Sequence, residues 1–480
     1  MKLISKPIIL IHLSFLLSTI IKSYLVYGFN GPIILEDEFE YKQNAFHIFY
    51  NIPGFYIYYI PPLYPFVISV SFLFQDHYLI MKLINVVLTS LTIYPVYFLL
   101  KEFSQRKELH LSSIFTLLLP IQFSMPNLVM SENLFLPLFA VFLLYMVRVV
   151  KGFEIKNSIL AGLFLGLLLL TRYFGVAIPP AIFLFFLILS IIGVEPYSRK
   201  QIFGSFLLIG LISSILYLPW IVYSFPKMTR IVTQFAISSS QEGVAISQTY
   251  TVSVWFLRYL FYLGIMVSPF LSIIVYSILT RFKKWNWLIL DQYLLFVLLL
   301  SFSFLCLAAY QLRVTDIFNR YINGRYISYL ILPWMIYFLI NLSDEKVSEK
   351  NIKRWGLRLF SFIFTIIVLV LGYNLHFRGY PWRVAPNYIG SFNFMEGYLF
   401  VKYFKISFVY IVLLNGFLIL FVHNWKKLYI LSILPFFLLN MKAHYRDMEV
   451  YINPIIVAAH DIYKENSQKV KPVNIYYSTM

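Results

Sequence analysis

The chain has 480 residues, of which 60% are hydrophobic, 20% aromatic and only 12% charged. A water-soluble globule needs roughly a quarter of its residues charged to cover its surface, so this balance excludes one and implies a polytopic membrane protein. The formal net charge of +18 does not call for nucleic acid, because Lys and Arg are dispersed at the ends of apolar runs, where membrane orientation and phosphate-bearing headgroups account for them.

In chain order, the first apolar run follows Met1-Lys2-Leu3-Ile4-Ser5-Lys6 and extends to about Phe29. It is long enough to span, and no small-residue cleavage site follows, so an uncleaved first helix is expected. Apolar stretches then predict spans at 8–27, 78–100, 111–126, 132–150, 158–172, 174–193, 203–223, 255–280, 290–310, 324–342, 356–374, 403–423 and 428–441. The expected fold is therefore an all-α polytopic bundle of about 13 transmembrane helices. Residues 61–75 are also long enough to cross, but an extra crossing would invert every later loop. Without it the clusters Lys101/Arg106/Lys107, Arg148/Lys151/Lys156, Arg199/Lys200, Arg281/Lys283/Lys284, Lys346 to Arg358 and Lys426/Lys427 all fall on the cytoplasmic side. The segment 61–75 is accordingly expected to lie in the outer interface, with the N-terminus cytoplasmic.

This topology divides the chain into a transmembrane domain, 1–441, with its first external loop at 28–77, and a short external tail, 442–480. The tail reads either as a cap or as the start of a larger external domain; Val473-Asn474-Ile475-Tyr476-Tyr477 has the pattern of a single strand. Cys306 excludes an intrachain disulfide. The eight histidines show no His-x-x-x-His spacing, so no metal site is expected from them. Ser238-Ser239-Ser240-Gln241-Glu242-Gly243 reads as a mobile loop.

The informative feature is the triplet Glu36-Asp37-Glu38, in a chain with only 21 acidic residues. On the predicted topology it shares the outer face with Glu132, Arg172, Arg313, Asp316, Arg320 and Arg325. Ionisable groups at membrane depth cost several kcal/mol unless paired or wetted, so their convergence suggests a water-filled cavity. A carboxylate facing arginines at a lipid boundary suits glycosyl transfer from a polyprenyl-phosphate sugar. The leaving phosphate needs cations, and Arg presents a planar fork to its oxygens. The acceptor hydroxyl must lose a proton, which a carboxylate takes. Base and cations on opposite sides of the anomeric carbon favour inversion.

Glu36-Asp37-Glu38-Phe39-Glu40-Tyr41-Lys42-Gln43-Asn44-Ala45 resembles the first-loop Asp-Glu-x-x-Tyr-x-x-x-Ala motif of C-type membrane glycosyltransferases. The nearest groups are the protein O-mannosyltransferases and the lipid A aminoarabinose transferases. Pro61-Pro62-Leu63-Tyr64-Pro65 is similar to their interfacial segment, Met130-Ser131-Glu132-Asn133-Leu134-Phe135 to their acidic third-loop motif, and Leu170-Thr171-Arg172 to their Leu-Thr-Arg step. Arg325-Tyr326, running into Leu332-Pro333-Trp334, resembles their late Arg-Tyr motif. The resemblance covers about residues 1–340 and implies Asp37 as catalytic carboxylate and a polyprenyl-phosphate donor.

The expected site is thus Asp37 and Glu38 for catalysis, Arg325, Arg320 and Arg172 for the donor phosphate, and Glu132 and Tyr41 in support. Each has a plainer reading. Glu38 orients Asp37 or a bound ion, or simply faces water; Glu132 is a helix N-terminal acid; the arginines anchor helix ends in headgroups. Lys22 either snorkels or faces the cavity, and Lys82 is a phosphate ligand or, as the commoner pattern has it, a snorkelling lysine. No cofactor is expected. Asp37 and Glu38 are also hard-oxygen ligands of the type that holds Mg or Mn, whereas the resemblance points to metal-free relatives. The acceptor is a lipid, a glycan or a protein, and the setting is a cell membrane with the site on its extracytoplasmic face. A glycan ligase or polymerase with a pyrophosphate-linked donor and a lipid-linked sugar flippase are the rival readings.

Overall fold

The computed structural model describes residues 6–28, 35–55, 57–241, 252–282, 286–315, 326–343, 355–376, 412–413 and 416. Among them every regular element is helical. Helix α1 (Lys6–Tyr27) is the expected first span. Leu10, Leu13, Leu17, Ile20 and Tyr24 are exposed along one stripe, whereas Ile11, Ser18 and Lys22 are buried on the other. The spacing of three and four is that of a helix with one face to lipid and one to protein.

The first loop carries α2 (Leu35–Phe49) and the short α3 (Leu63–Ser69), which runs into a 3-10 turn at Val70–Leu73. Asn44 is fully buried and grips the chain between these helices: it accepts from Ile57 N–H at 2.8 Å and donates to Ile57 C=O at 3.0 Å. The same loop packs Phe55 edge-on to Trp220, and the Lys227 ammonium sits 4.2 Å from the Tyr58 ring centre and 3.7 Å from that of Tyr223. Cation–π contact therefore fastens the loop to a later helix.

Next come α4 (His77–Leu91) and α5 (Ile93–Phe103), almost continuous over the expected span 78–100. The expected span 111–126 is not one rod. It consists of α6 (Lys107–Leu111), a 3-10 stretch Ser112–Leu118, α7 (Pro120–Ser124) and a turn at Met125–Asn127, with a 61° bend. Pro120 forces Leu119 into extended backbone, which ends the helix before it.

Helix α8 (Glu132–Gly152) is the most buried of the helices long enough to span, and α9 (Ile155–Thr171) and α10 (Ile178–Ile192) follow. Helix α11 (Arg199–Gln241) has 43 residues. At 1.5 Å per residue it is about 65 Å long, twice the ~30 Å hydrocarbon core. It includes Ser238 to Gln241, where the sequence suggested a loop. It packs on α9 at Gly162 and Gly166, where an added Cβ would lie 2.9 Å from Ile209 O and 2.6 Å from Leu216 Cδ1. Small residues four apart allow the backbones this approach.

The expected span 255–280 is likewise broken. Helix α12 (Val252–Met266) and α13 (Leu271–Phe282) meet at 108°. Pro269 stands in the break, where it supplies no N–H and clashes with a continuing helix. Helices α14 (Ile289–Thr315), α15 (Ile331–Ser343) and α16 (Trp355–His376) complete the described part.

Among the described residues six helices are long and apolar enough to cross a membrane, or eight when each bent pair counts as one, and four shorter apolar helices accompany them. The chain is therefore an integral membrane protein of all-α architecture. Nearly all of 403–423, all of 428–441 and the tail 442–480 lie outside the described residues.

Candidate active site

The first-loop helix α2 is fastened to the bundle by the residues that follow Asp37. Glu38 is completely buried. Its carboxylate accepts from the Tyr78 hydroxyl and, at 2.8 Å, from the backbone N–H of Val129. The reading in which Glu38 faces water is thereby corrected: hydrogen bonds to a charged acceptor contribute about 1.5–3 kcal/mol each and hold it inside. One helical turn later, Tyr41 shares a hydrogen bond of 2.7 Å with Ser131 and packs edge-on against Tyr64.

Asp37 is the third residue of α2, so the backbone that carries it is set by these contacts. Its side chain is outside the described residues. Arg320 and Arg325 are also outside them; the residue after Arg325, Tyr326, stacks on Phe174 at 4.2 Å.

Helix α4 supplies a polar face. Lys82, Asn85 and Thr89 are three and four residues apart and all fully buried. Lys82 does not snorkel: its ammonium lies 5.5 Å from the Tyr78 ring centre, within electrostatic reach of Glu38. The snorkelling preference fails because α4 turns this face to α2 and α8 rather than to lipid. Tyr64 donates to Asn85 Oδ1 at 3.0 Å, and Asn85 donates to Leu128 C=O at 2.7 Å. Burial holds the Tyr64 phenol well above its ordinary pKa, so it stays a donor.

Glu132 opens α8 and Arg172 caps α9. They form an ion pair of 2.5 Å, with side chains 1% and 4% exposed. Arg172 also donates to Ser131 at 3.4 Å and faces Phe174. Burial works against the Arg172 charge, and the Glu132 carboxylate beside it offsets that cost. Neither residue is a headgroup anchor.

Ser131 thus joins Tyr41 of the loop helix to the ion pair. The residues brought together are Glu38, Tyr41, Glu132 and Arg172, with Lys82 beside them. Sequence reasoning missed Tyr78, Asn85 and Ser131. Ser131 lies inside the quoted Met130-Ser131-Glu132 motif, and Asn85 is one turn from Lys82, so both had a signal. Among the described residues no group of three His, Cys, Asp or Glu side chains is placed to share a metal ion.

The comparisons with known proteins agree with the resemblance seen in the first loop. Residues 60–223 match the family model described as dolichyl-phosphate-mannose-protein mannosyltransferase. No curated protein matches the chain in sequence. Among solved structures, ArnT from Cupriavidus metallidurans bound to undecaprenyl phosphate is similar with a TM-score of 0.58 at 13% identity, over 96% of this chain and 80% of that one. AglB, the oligosaccharyltransferase of Archaeoglobus fulgidus, in complex with an inhibitory peptide and a dolichol-phosphate, gives 0.43 at 13% identity, over 87% of this chain and 55% of that one. The chain has the fold of ArnT, and its resemblance to the C-type membrane glycosyltransferases extends from the quoted motifs to that fold.

Proposed function

We propose that this chain is an inverting membrane glycosyltransferase that moves a sugar from a polyprenyl-phosphate donor to an acceptor hydroxyl on the extracytoplasmic face. The observation that carries the reading is the anchoring of the Asp37-bearing helix, through Glu38 and Tyr41, beside the buried cation Lys82 and the Glu132–Arg172 pair. The family match over 60–223 and the fold of ArnT support it.

In this mechanism Asp37 takes the proton of the acceptor hydroxyl as its oxygen bonds to the anomeric carbon. The bond from that carbon to the phosphate oxygen breaks, and polyprenyl phosphate leaves with the electron pair. Its charge is met by Lys82 and by Arg320 and Arg325, so no proton need be donated to it. Attack from the face opposite the phosphate inverts the anomeric configuration. Glu38 holds α2 rather than reacting, since it is buried and its Oε2 accepts from both Tyr78 and the Val129 N–H. Glu132 neutralises Arg172, which leaves Lys82 and the late arginines as the donor cations.

The test is transfer of radiolabelled sugar by purified protein in membranes from a panel of polyprenyl-phosphate donors. Incorporation from a monophosphate donor supports the reading. Consumption of a diphosphate donor favours the ligase or polymerase, and transport without covalent product favours the flippase.

A further inference from the structure

Phe55 and Ile57 to Tyr59 form a strap that touches two helices at once. Toward α11, Phe55 packs edge-on to Trp220 at 4.9 Å and the Tyr58 ring lies 6.2 Å from that of Tyr223. The Lys227 ammonium stands over both tyrosine rings, 4.2 Å from Tyr58 and 3.7 Å from Tyr223. Trp220, Tyr223 and Lys227 are three and four residues apart, so they make one stripe of α11.

Toward α2, the Ile57 N–H and C=O are both held by the Asn44 side chain, and the Tyr59 hydroxyl donates to the Glu40 carboxylate. Glu40 and Asn44 also share a stripe, whose next position toward the N-terminus is Asp37, three residues before Glu40. At about 100° per residue, Glu38 and Tyr41 fall on one side of Asp37 round the helix, and Glu40 and Asn44 on the other. Glu38 and Tyr41 tie the first side to the bundle through Tyr78, Val129 and Ser131. The strap ties the second. A helix held along one side can roll about its axis, and a hold on the other side stops it. The direction in which Asp37 leaves α2 therefore depends on the strap, and the strap depends on its grip on α11. Lys227 is the last residue of the Arg199–Lys227 span, where an ammonium reaches the headgroup level without being buried in hydrocarbon.

We propose that Lys227 is a positioning residue: its cation–π clamp on Tyr58 and Tyr223 keeps the strap against α2 and so fixes the direction in which Asp37 is presented. The inference rests on the reading of Asp37 as base. Two cation–π contacts correspond to about 5- to 30-fold in the equilibrium between a held and a released strap.

The test uses full-length protein in nanodiscs. Lys227→Met keeps the length of the side chain without its charge, and Lys227→Arg keeps a cation over the rings. In Lys227→Met, amide hydrogen exchange across 35–49 and 57–59 is expected to quicken about 5- to 30-fold, with α14 unchanged. Single-turnover transfer at saturating donor should slow about fivefold or more, while donor affinity stays the same. Lys227→Arg should restore both. Unchanged exchange in α2 overturns the proposal whatever the activity. Faster exchange with transfer at the wild-type rate also overturns it and leaves Lys227 a structural tie. A wild-type protein that transfers no sugar from any polyprenyl-phosphate donor overturns the reading of Asp37 itself, and this inference falls with it.

Discussion

The Glu132–Arg172 pair gives a prediction whose size follows from its geometry. The contact is 2.5 Å, both side chains are almost wholly buried, and the guanidinium also donates to Ser131 Oγ at 3.4 Å. Removing one partner strands the other charge in a low-dielectric interior, which costs about 3–5 kcal/mol. Glu132→Gln is expected at the low end, about 3 kcal/mol, because its amide oxygen still accepts one hydrogen bond. Arg172→Met is expected to cost about as much, since it strands the carboxylate and also removes the contact with Phe174. The double variant removes both charges and should cost about 3 kcal/mol, no more than either single change, for a coupling of about 3 kcal/mol. The assay is reversible unfolding in mixed micelles, with the four proteins forming one double-mutant cycle. Additive single effects, or single effects under about 1 kcal/mol, would refute the idea that a buried ion pair ties α8 to α9.

Two other outcomes are expected. Lys82→Met should weaken binding of undecaprenyl phosphate about 10- to 100-fold, the value of a charge-assisted hydrogen bond, while undecaprenol binding in the same nanodiscs stays unchanged. Gly162→Val should destabilise the protein by about 1–3 kcal/mol in the same unfolding assay, because its Cβ meets backbone of α11 that cannot move aside; Gly204→Val, at a site with nothing near its Cβ, serves as the control.

Much of the architecture was legible because apolar run length is a strong signal in lipid. The expected spans 8–27, 78–100 and 290–310 correspond to α1, α4 with α5, and α14. The two broken spans show where that signal stops. Mean apolarity does not register a change of direction, although Pro120 and Pro269 were visible and each removes a backbone donor. Site residues divided along a similar line. Glu38, Tyr41, Glu132 and Arg172 were named from their motifs and lie together in the structure, but the sequence gives a lysine in an apolar helix no sign of which way it faces. Lys82 and Lys22 are buried because α4 packs against α2, α8 and α1, and that packing is a property of partners distant in the chain. Gly162 and Gly166 carried the small-xxx-small pattern openly.

The central claim, that Asp37 is the base of a transfer from a polyprenyl-phosphate sugar, is tested most directly by Asp37→Asn in single-turnover transfer with a donor active in the wild type. Asn preserves size and removes basicity, so transfer should fall by about 100-fold or more, the usual contribution of a positioned general base, while donor binding is retained. Transfer at the wild-type rate by a folded Asn variant would contradict the account.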